Sequence, residues 1–338
     1  DDVAGRVVLI KGSRDSHFER VSHALERKSH TTVLEVDLDA MIHNLNYFRA
    51  RLRPGVRLVA MVKAASYGAG DFEVAQMLQH QGVNYLAVAF ADEGVLLRER
   101  GIRMPIVVLN ADEGSFDLMV AHRLEPEIYN FRSLAFFSKA VERVGEESYP
   151  IHIKLDTGMH RLGFMEGELD MLTETLGETP SVKVATIFSH LNCSDMPQED
   201  RYTREQIARF DRMSGRLAAA LPYPVLRHTA NSAAIERFPE AQFDMCRLGL
   251  GLYGFGFEHN DELKPVSTLK SRIVQLKHLS AGEAVGYGRA GKLTRDSVTA
   301  TVPMGYADGL DRHLGCGRWS MPVSYTHLRA HETPEQLV

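Results

Sequence analysis

Eight short, apolar, β-branched runs recur along this chain with helical segments between them, and that alternation limits the possible folds more than any other feature. The runs are LVAMVK from Leu58, YLAVAF from Tyr85, MPIVVL from Met104 and LEPEIY from Leu124, then YPIHIKLD from Tyr149, VKVATIFSH from Val182, PVLRHTAN from Pro224 and CRLGLGLYG from Cys246. Intervening stretches such as DFEVAQMLQHQG, DEGVLLRERG, SLAFFSKAVERVG and TREQIARFDRMSGRLAAAL carry apolar residues at helical spacing. Roughly eight strand-then-helix units over about 200 residues predict an α/β fold of the (β/α)8, TIM-like barrel type. A doubly wound open sheet is the alternative, but its Gly-rich fingerprint is absent after the first strand. Lys63, Asp156, His190, Asn231 and Arg247 all stand at or just past the C-terminal end of a predicted strand. In a barrel that face carries the chemistry.

The pattern changes near FEHNDELKP from Phe257, a polar linker, beyond which TLKSRIVQLKHL and SVTATVPM read as short strands. The expected division is a barrel over 31–260 and the start of an all-β domain over 261–321. Residues 1–28 read as a strand, RVVLIKG, and a helix, HFERVSHALERK, ahead of the barrel. The tail from about Pro322, VSYTHLRAHET, is unlike a β-domain sequence and is expected to be non-native over 322–338. A net charge of -5 gives no support to nucleic-acid or membrane-surface binding, and no apolar run reaches spanning length. Cys193, Cys246 and Cys316 are isolated and odd in number, which reads as reduced thiols in a cytoplasmic protein, with no metal site.

A lysine ending a buried strand is costly unless it has a task, because desolvation disfavours its charge. Lys63 does so in MVKAASYGAG, and such a lysine can form a Schiff base with an aldehyde cofactor. Gly68 and Gly70 permit close backbone approach to a bound group. In HTANSAA, Ser232 and nearby backbone N–H groups suit a phosphate, although Asn231 there also reads as a helix N-cap. Arg247 lies within so apolar a run, CRLGLGLYG, that a surface ion pair is a poor account of it.

Taken together these motifs resemble the alanine racemases, over about residues 31–321. K-A-x-x-Y-G-x-G matches their pyridoxal-phosphate site, with Ala65 where the family commonly has Asn and Ala69 where it often has His. The resemblance implies pyridoxal 5'-phosphate held by Lys63 and contacted by Tyr67, Asn231, Ser232, Gly249 and Leu250. It implies Arg247 against the pyridine nitrogen, where many pyridoxal enzymes place a carboxylate. A guanidinium does not give up its proton, so the ring nitrogen stays unprotonated and the carbanion is less stabilised. HIKLDTGMHRLGF places Arg161 near the substrate carboxylate. Lys154 matches a lysine carbamylated in many relatives, whose carbamate would hold Arg161. His190 matches the histidine that bonds the catalytic tyrosine, with His228 behind it. AVGYGRAGK puts Tyr287 in that tyrosine's slot, where neighbouring cations would favour the phenolate, and VPMGYADG supplies Tyr306 at the substrate entryway.

The implied activity is interconversion of L- and D-alanine by two bases, Lys63 for D-alanine and Tyr287 for L-alanine, supplying D-alanine for peptidoglycan synthesis in the cytoplasm. A homodimer with shared active sites follows by the same resemblance. Residues 1–30 resemble the C-terminal tail of a Mur ligase fused ahead of the racemase, and the family's G-x-x-C-M-D loop is missing before the suspect tail, so the β domain is expected to be truncated and weakly active. Three alternatives stay open: a non-catalytic pyridoxal-phosphate-binding barrel, an inactive fragment, and another amino-acid racemase such as one acting on serine.

Overall fold

The structure is a computed structural model that describes residues 32–315, 318 and 320. Both the ligase-like segment and the tail from Pro322 lie outside the described residues, as does Cys316. The chain separates into two compact units, one running Val36–Ser267 and the other formed by the flanking segments.

Within the larger unit the eight predicted runs become eight parallel strands: β2 Arg57–Met61, β3 Tyr85–Val88, β4 Ile106–Val108, β5 Glu125–Ile128, β6 Tyr149–Lys154, β7 Val182–Phe188, β8 Leu226–His228 and β9 Met245–Leu248. Each pairs with its sequence neighbour from β2 to β8, and β9 returns to pair with β2. The β8–β9 seam is held by single bonds instead of a ladder: Asp244 N donates to Arg227 O (3.0 Å) and Arg247 N to Ala230 O (2.9 Å). This is the expected TIM-like near-barrel.

Helices return the chain from strand to strand, including Leu38–Arg49, Phe131–Arg143 and Asp200–Ala220. Asp37 and Asn130 cap two of them, accepting from Ala40 N and Ser133 N, as short polar side chains do at N-termini. The main core fills the space between strands and helices, around Met41, Leu45, Phe48, Leu86, Phe137 and Phe210. A second, smaller cluster of Val59, Met61, Ala87, Val107 and Met245 lies apart from it, contributed by β2, β3, β4 and β9. On β5 to β9 the same alternation turns buried polar groups into the sheet's interior: Glu125, Glu127, His152, Lys154, Thr186, His228 and Arg247. A barrel interior half apolar and half polar is the feature that positions the site.

The smaller unit contains β1 Val33–Val36 paired with β10 Ser267–Lys270, and β11 Gln275–Leu279 antiparallel to β14 Ser297–Thr301. A hairpin of β12 Ala284–Val285 and β13 Gly291–Lys292 completes its strands. The connection of this hairpin contains Gly286 and Gly288, both at positive φ (84° and 65°), a conformation glycine adopts without a Cβ penalty.

Candidate active site

Lys63 leaves the end of β2 into a turn whose residues Ala64 to Tyr67 all have φ between 49° and 56°. The spacing from Lys63 to Tyr67 alone would suit one turn of an ordinary helix. The turn is left-handed, a conformation that costs about 1–2 kcal/mol per non-glycine residue and persists only when its surroundings impose it. Glu93 is one such constraint: its Oε1 accepts from Ala64 N (2.5 Å) and its Oε2 from Ala89 N (2.6 Å). Tyr253 is another, donating to Met61 O (2.9 Å) and packing on Tyr67 with ring centroids 4.9 Å apart. The result aims Lys63 Nζ toward the Tyr67 ring, 5.8 Å from its centroid. Lys63 itself is only half-buried.

Tyr67 converges on β9. A Cβ built on Gly249 would lie 3.4 Å from the Tyr67 hydroxyl, so glycine keeps that approach open. Burial pushes the Tyr67 phenol above its ordinary value, which keeps it a hydrogen-bond donor at neutral pH. Ser232 Oγ accepts from Gly249 N (2.9 Å) and Gly251 N (3.3 Å). These donors and hydroxyls form a cluster that a phosphate, a charged acceptor, would draw onto itself. Asn231 acts as the N-cap the sequence allowed: its Oδ1 accepts from Ala234 N (3.0 Å) and Ser194 Oγ (2.9 Å).

Arg247 is buried, 6 % exposed, and among the described residues no carboxylate touches it. Its Nη2 donates to Ser189 O (2.7 Å) and Thr229 O (3.1 Å), and its Nη1 to His228 Nδ1 (2.9 Å). Burial lowers its pKa to about 10, still far above neutrality. His190 Nδ1 lies 3.4 Å from Nη2. Burial, and then Arg247, Arg161, Lys154 and Lys63, drive the His190 imidazole down to about 3. His228 is likewise pushed well below its ordinary value, by burial and then by Arg247 and His152. Both are therefore neutral in the fold, and the cationic character expected of this cluster belongs to the arginines and lysines alone.

Arg161 is exposed on the loop after β6, yet its charge reaches both Glu127 and His190. Asp156 Oδ1 shapes that loop by accepting from Gly158 N (2.9 Å) and His160 N (3.1 Å). The glycines of the D-T-G-M-H-R-L-G motif have steric reasons to be there. Gly158 and Gly163 stand at φ +134° and +130°, and a Cβ on Gly163 would meet Asp156 N at 2.6 Å.

Lys154 sits beside a buried carboxylate. Its Nζ donates to Glu127 Oε1 (2.8 Å), both side chains being buried, so the unmodified amine has an anionic partner. Burial pushes the Glu127 carboxyl up, while Lys154, Arg247 and Arg161 pull against it. Glu125, Glu127, His152 and Thr186 were not singled out from the sequence. The signal was present in LEPEIY: two acids at i and i+2 put both carboxylates on one face of a buried strand.

Tyr287 and Tyr306 belong to the smaller unit. Tyr287 follows Gly286 in the hairpin connection after β12 and is 99 % exposed; Tyr306, in a short 3-10 turn, is 76 % exposed.

A lysine at one strand end, hydroxyls and backbone donors at two others, and a buried arginine beside them make a set of groups that suits a phosphorylated aldehyde. Residues 36–256 match the family described as alanine racemase, N-terminal domain, and residues 266–329 match the alanine racemase C-terminal domain. The chain is 36 % identical over 295 residues to alanine racemase 2 of Caldanaerobacter subterraneus subsp. tengcongensis, covering 84 % of this chain and 74 % of that one. A solved alanine racemase of Clostridium difficile 630 superposes with a TM-score of 0.78 at 31 % identity, covering 85 % of this chain and 76 % of that one. Another, from Bartonella henselae with covalently bound pyridoxal phosphate, gives 0.74 at 26 % identity, covering 84 % and 78 %. The chain belongs to the alanine racemase family.

Proposed function

We propose that this isomerase interconverts L- and D-alanine with Lys63 and Tyr287 as its two bases and pyridoxal 5'-phosphate as its cofactor. The observation that carries the reading is the buried Arg247, held among the described residues by neutral acceptors and set among strand ends that also bring Lys63, Tyr67 and Ser232. The match to the C-terminal domain weighs against a barrel that merely binds the cofactor, since such proteins lack that domain.

Bound there, the cofactor withdraws electrons from the amino acid and acidifies its α-proton. Lys63 would anchor it covalently, and its Nζ would take or return the α-proton on one face. Tyr287 Oη does the same on the opposite face. Tyr67, Asn231, Ser232, Gly249 and Leu250 hold the phosphate. Arg247 would donate toward the pyridine nitrogen and, remaining charged, would disfavour that nitrogen's protonation. Arg161 orients the substrate carboxylate, His190 the tyrosine, and Tyr306 lines the entry, with Lys154 and His228 supporting.

A homodimer with shared sites is part of this reading. A phenol as exposed as that of Tyr287 has nothing packed around it among the described residues to orient it as a base, and a second subunit would supply such a surface. Among the described residues no helix is long and apolar enough to cross a membrane, which is compatible with the cytoplasmic setting and peptidoglycan role we infer. The ligase resemblance of residues 1–28 supports a Mur ligase fused ahead of the racemase, which the mass of the native gene product tests.

An absorbance spectrum of the purified chain should show a band lost on borohydride reduction, with the label on Lys63. Racemisation followed by circular dichroism, with alanine and serine compared by kcat/KM, tests activity and substrate together. Sedimentation tests the dimer. No cofactor band, or a label elsewhere, refutes the assignment.

A further inference from the structure

Arg247 is one end of a hydrogen-bond chain that crosses the barrel interior one strand at a time. From β9, Arg247 Nη1 lies 2.9 Å from His228 Nδ1 on β8. His228 Nε2 lies 3.1 Å from Thr186 Oγ1 on β7. Thr186 Oγ1 lies 2.8 Å from His152 Nδ1 on β6, and His152 Nε2 lies 2.8 Å from Glu125 Oε2 on β5. All five residues are buried. We propose that this chain is a one-way relay of donors running from Arg247 to Glu125, which locks His228 as its Nε2–H tautomer and so fixes the pose of the Arg247 guanidinium, making Glu125, His152 and Thr186 positioning residues for the racemase site.

The direction follows from what each group can do. A guanidinium only donates, so His228 Nδ1 must accept and its proton must sit on Nε2. That N–H donates to Thr186 Oγ. Among the described residues the threonine hydroxyl has no other partners than the two histidines, so its own proton has one acceptor, His152 Nδ1. His152 then carries its proton on Nε2 and donates it to Glu125, which as a carboxylate only accepts. Every proton has an acceptor and every donor points the same way. The other arrangement, with Thr186 accepting twice and His152 an imidazolium, leaves the hydroxyl proton of a fully buried threonine without an acceptor.

Three features show that the chain is built. β6 and β7 pair in register up to Ile151 with Val184, then His152 pairs with Thr186, so a bulge at Ala185 brings Thr186 against His152. Phe188 stacks on the His228 ring at 5.0 Å with planes 6° apart, fixing its orientation. A cavity of about 10 Å³ borders His152, His228 and Arg247 and is otherwise lined by apolar side chains such as Val59, Val107 and Met245, leaving room for one water at most beside these bonds. At the far end the charge of Arg98 reaches Glu125, and Arg98 is itself held by the carbonyls of Ile102, Met104, His122 and Arg123. The relay thus runs between a fixed cation and a compensated anion. A His228 flipped to its Nδ1–H tautomer would set two donors face to face at 2.9 Å and push the guanidinium away.

This inference rests on the cofactor reading only for its kinetic consequence, so the test has two arms. Nitrogen-15 spectra of histidine-labelled full chain, with His228 and His152 assigned by difference from His228→Phe and His152→Gln, should show both as Nε2–H tautomers. That result needs no cofactor chemistry, and its failure leaves the racemase assignment intact. In the second arm, Thr186→Val, nearly isosteric, removes the link. It should lower kcat about 10- to 100-fold with KM for alanine little changed, the range seen when an outer partner that fixes a ring's tautomer is lost. Thr186→Ser should restore the rate, and Glu125→Gln, which keeps an acceptor, should fall between. In a His228→Phe background Thr186→Val should cost nothing further, whereas a merely structural threonine would cost the same in both. An Nδ1–H His228, an imidazolium His152, or an undiminished Thr186→Val effect without His228 overturns the relay. Should Thr186→Val fail to fold, the tautomer spectra of the unmodified chain and the Glu125→Gln rate decide it.

Discussion

Replacing Gly163 with alanine should disable the loop that carries Arg161, and the structure sets the size of the effect. At φ +130° the added Cβ would lie 2.6 Å from Asp156 N and 2.7 Å from Leu155 C, both backbone atoms. These segments are tied together, since Asp156 N donates to Phe164 O (3.0 Å) and Phe164 N to Lys154 O (2.9 Å). Carbon contacts are comfortable near 3.5 Å, so the two segments must part by roughly 1 Å. Backbone strain of about 1–3 kcal/mol and overpacking of about 1–3 kcal/mol give a destabilisation near 4 kcal/mol. For a barrel of this size that lowers Tm by roughly 10 °C. A 1 Å displacement of a substrate-positioning group can cost about 100-fold in rate. Gly167→Ala is the matched control, because its Cβ would meet no atom within 4 Å and its φ is not positive. Thermal melts and racemisation rates of the two variants compared side by side check the argument. A Gly163→Ala protein within about 2 °C of Gly167→Ala would refute the reasoning from backbone contact.

Further outcomes are expected. Lys63→Ala should lose the borohydride-reducible absorbance band and almost all racemisation, and a covalent cofactor found at another lysine would contradict this. Arg247→Glu should protonate the pyridine nitrogen, so alanine should raise a new long-wavelength absorbance and transamination should gain on racemisation; an unchanged spectrum would count against the role given to Arg247. Lys154→Met should cost about 3–5 kcal/mol in denaturant melts because it leaves Glu127 buried and unpaired, while the double variant with Glu127→Leu should recover much of that; simple additivity would exclude a coupled pair. His190 is held neutral with its pKa down to about 3, so the unfolded chain binds its proton first as acid is added. Its contribution to stability should be complete above about pH 6.5 and lost progressively toward pH 3, and its loss should be absent from the melts of His190→Gln.

The barrel was legible because each strand is a short run of β-branched and apolar residues flanked by turn signals, and each helix carries its own period. The eight runs read from the sequence are β2 to β9 in order. The places of Lys63, Tyr67, Ser232 and Arg247 at or near strand ends were legible for a related reason: each is embedded in a motif whose glycines and small residues answer to local geometry. The open seam between β8 and β9 has no local mark, since it depends on how far the sheet curls.

What the sequence determined by itself is therefore whatever periodicity and motif encode locally: the strand order, the strand ends that carry polar residues, and the place of Lys63 at one of them. Tertiary structure alone decided the rest. KAASY would pass for the start of an ordinary helix, and only Glu93 and Tyr253, brought from elsewhere in the chain, account for its left-handed turn. Glu127 was one acid among others until β6 laid Lys154 beside it as a buried ion pair. Glu125, His152 and Thr186 lie on three different strands, aligned by a bulge that nothing in VKVATIF announces. A buried polar group has to find its partner, and in a parallel barrel that partner sits on the next strand, tens of residues away in the chain, at a height set by register.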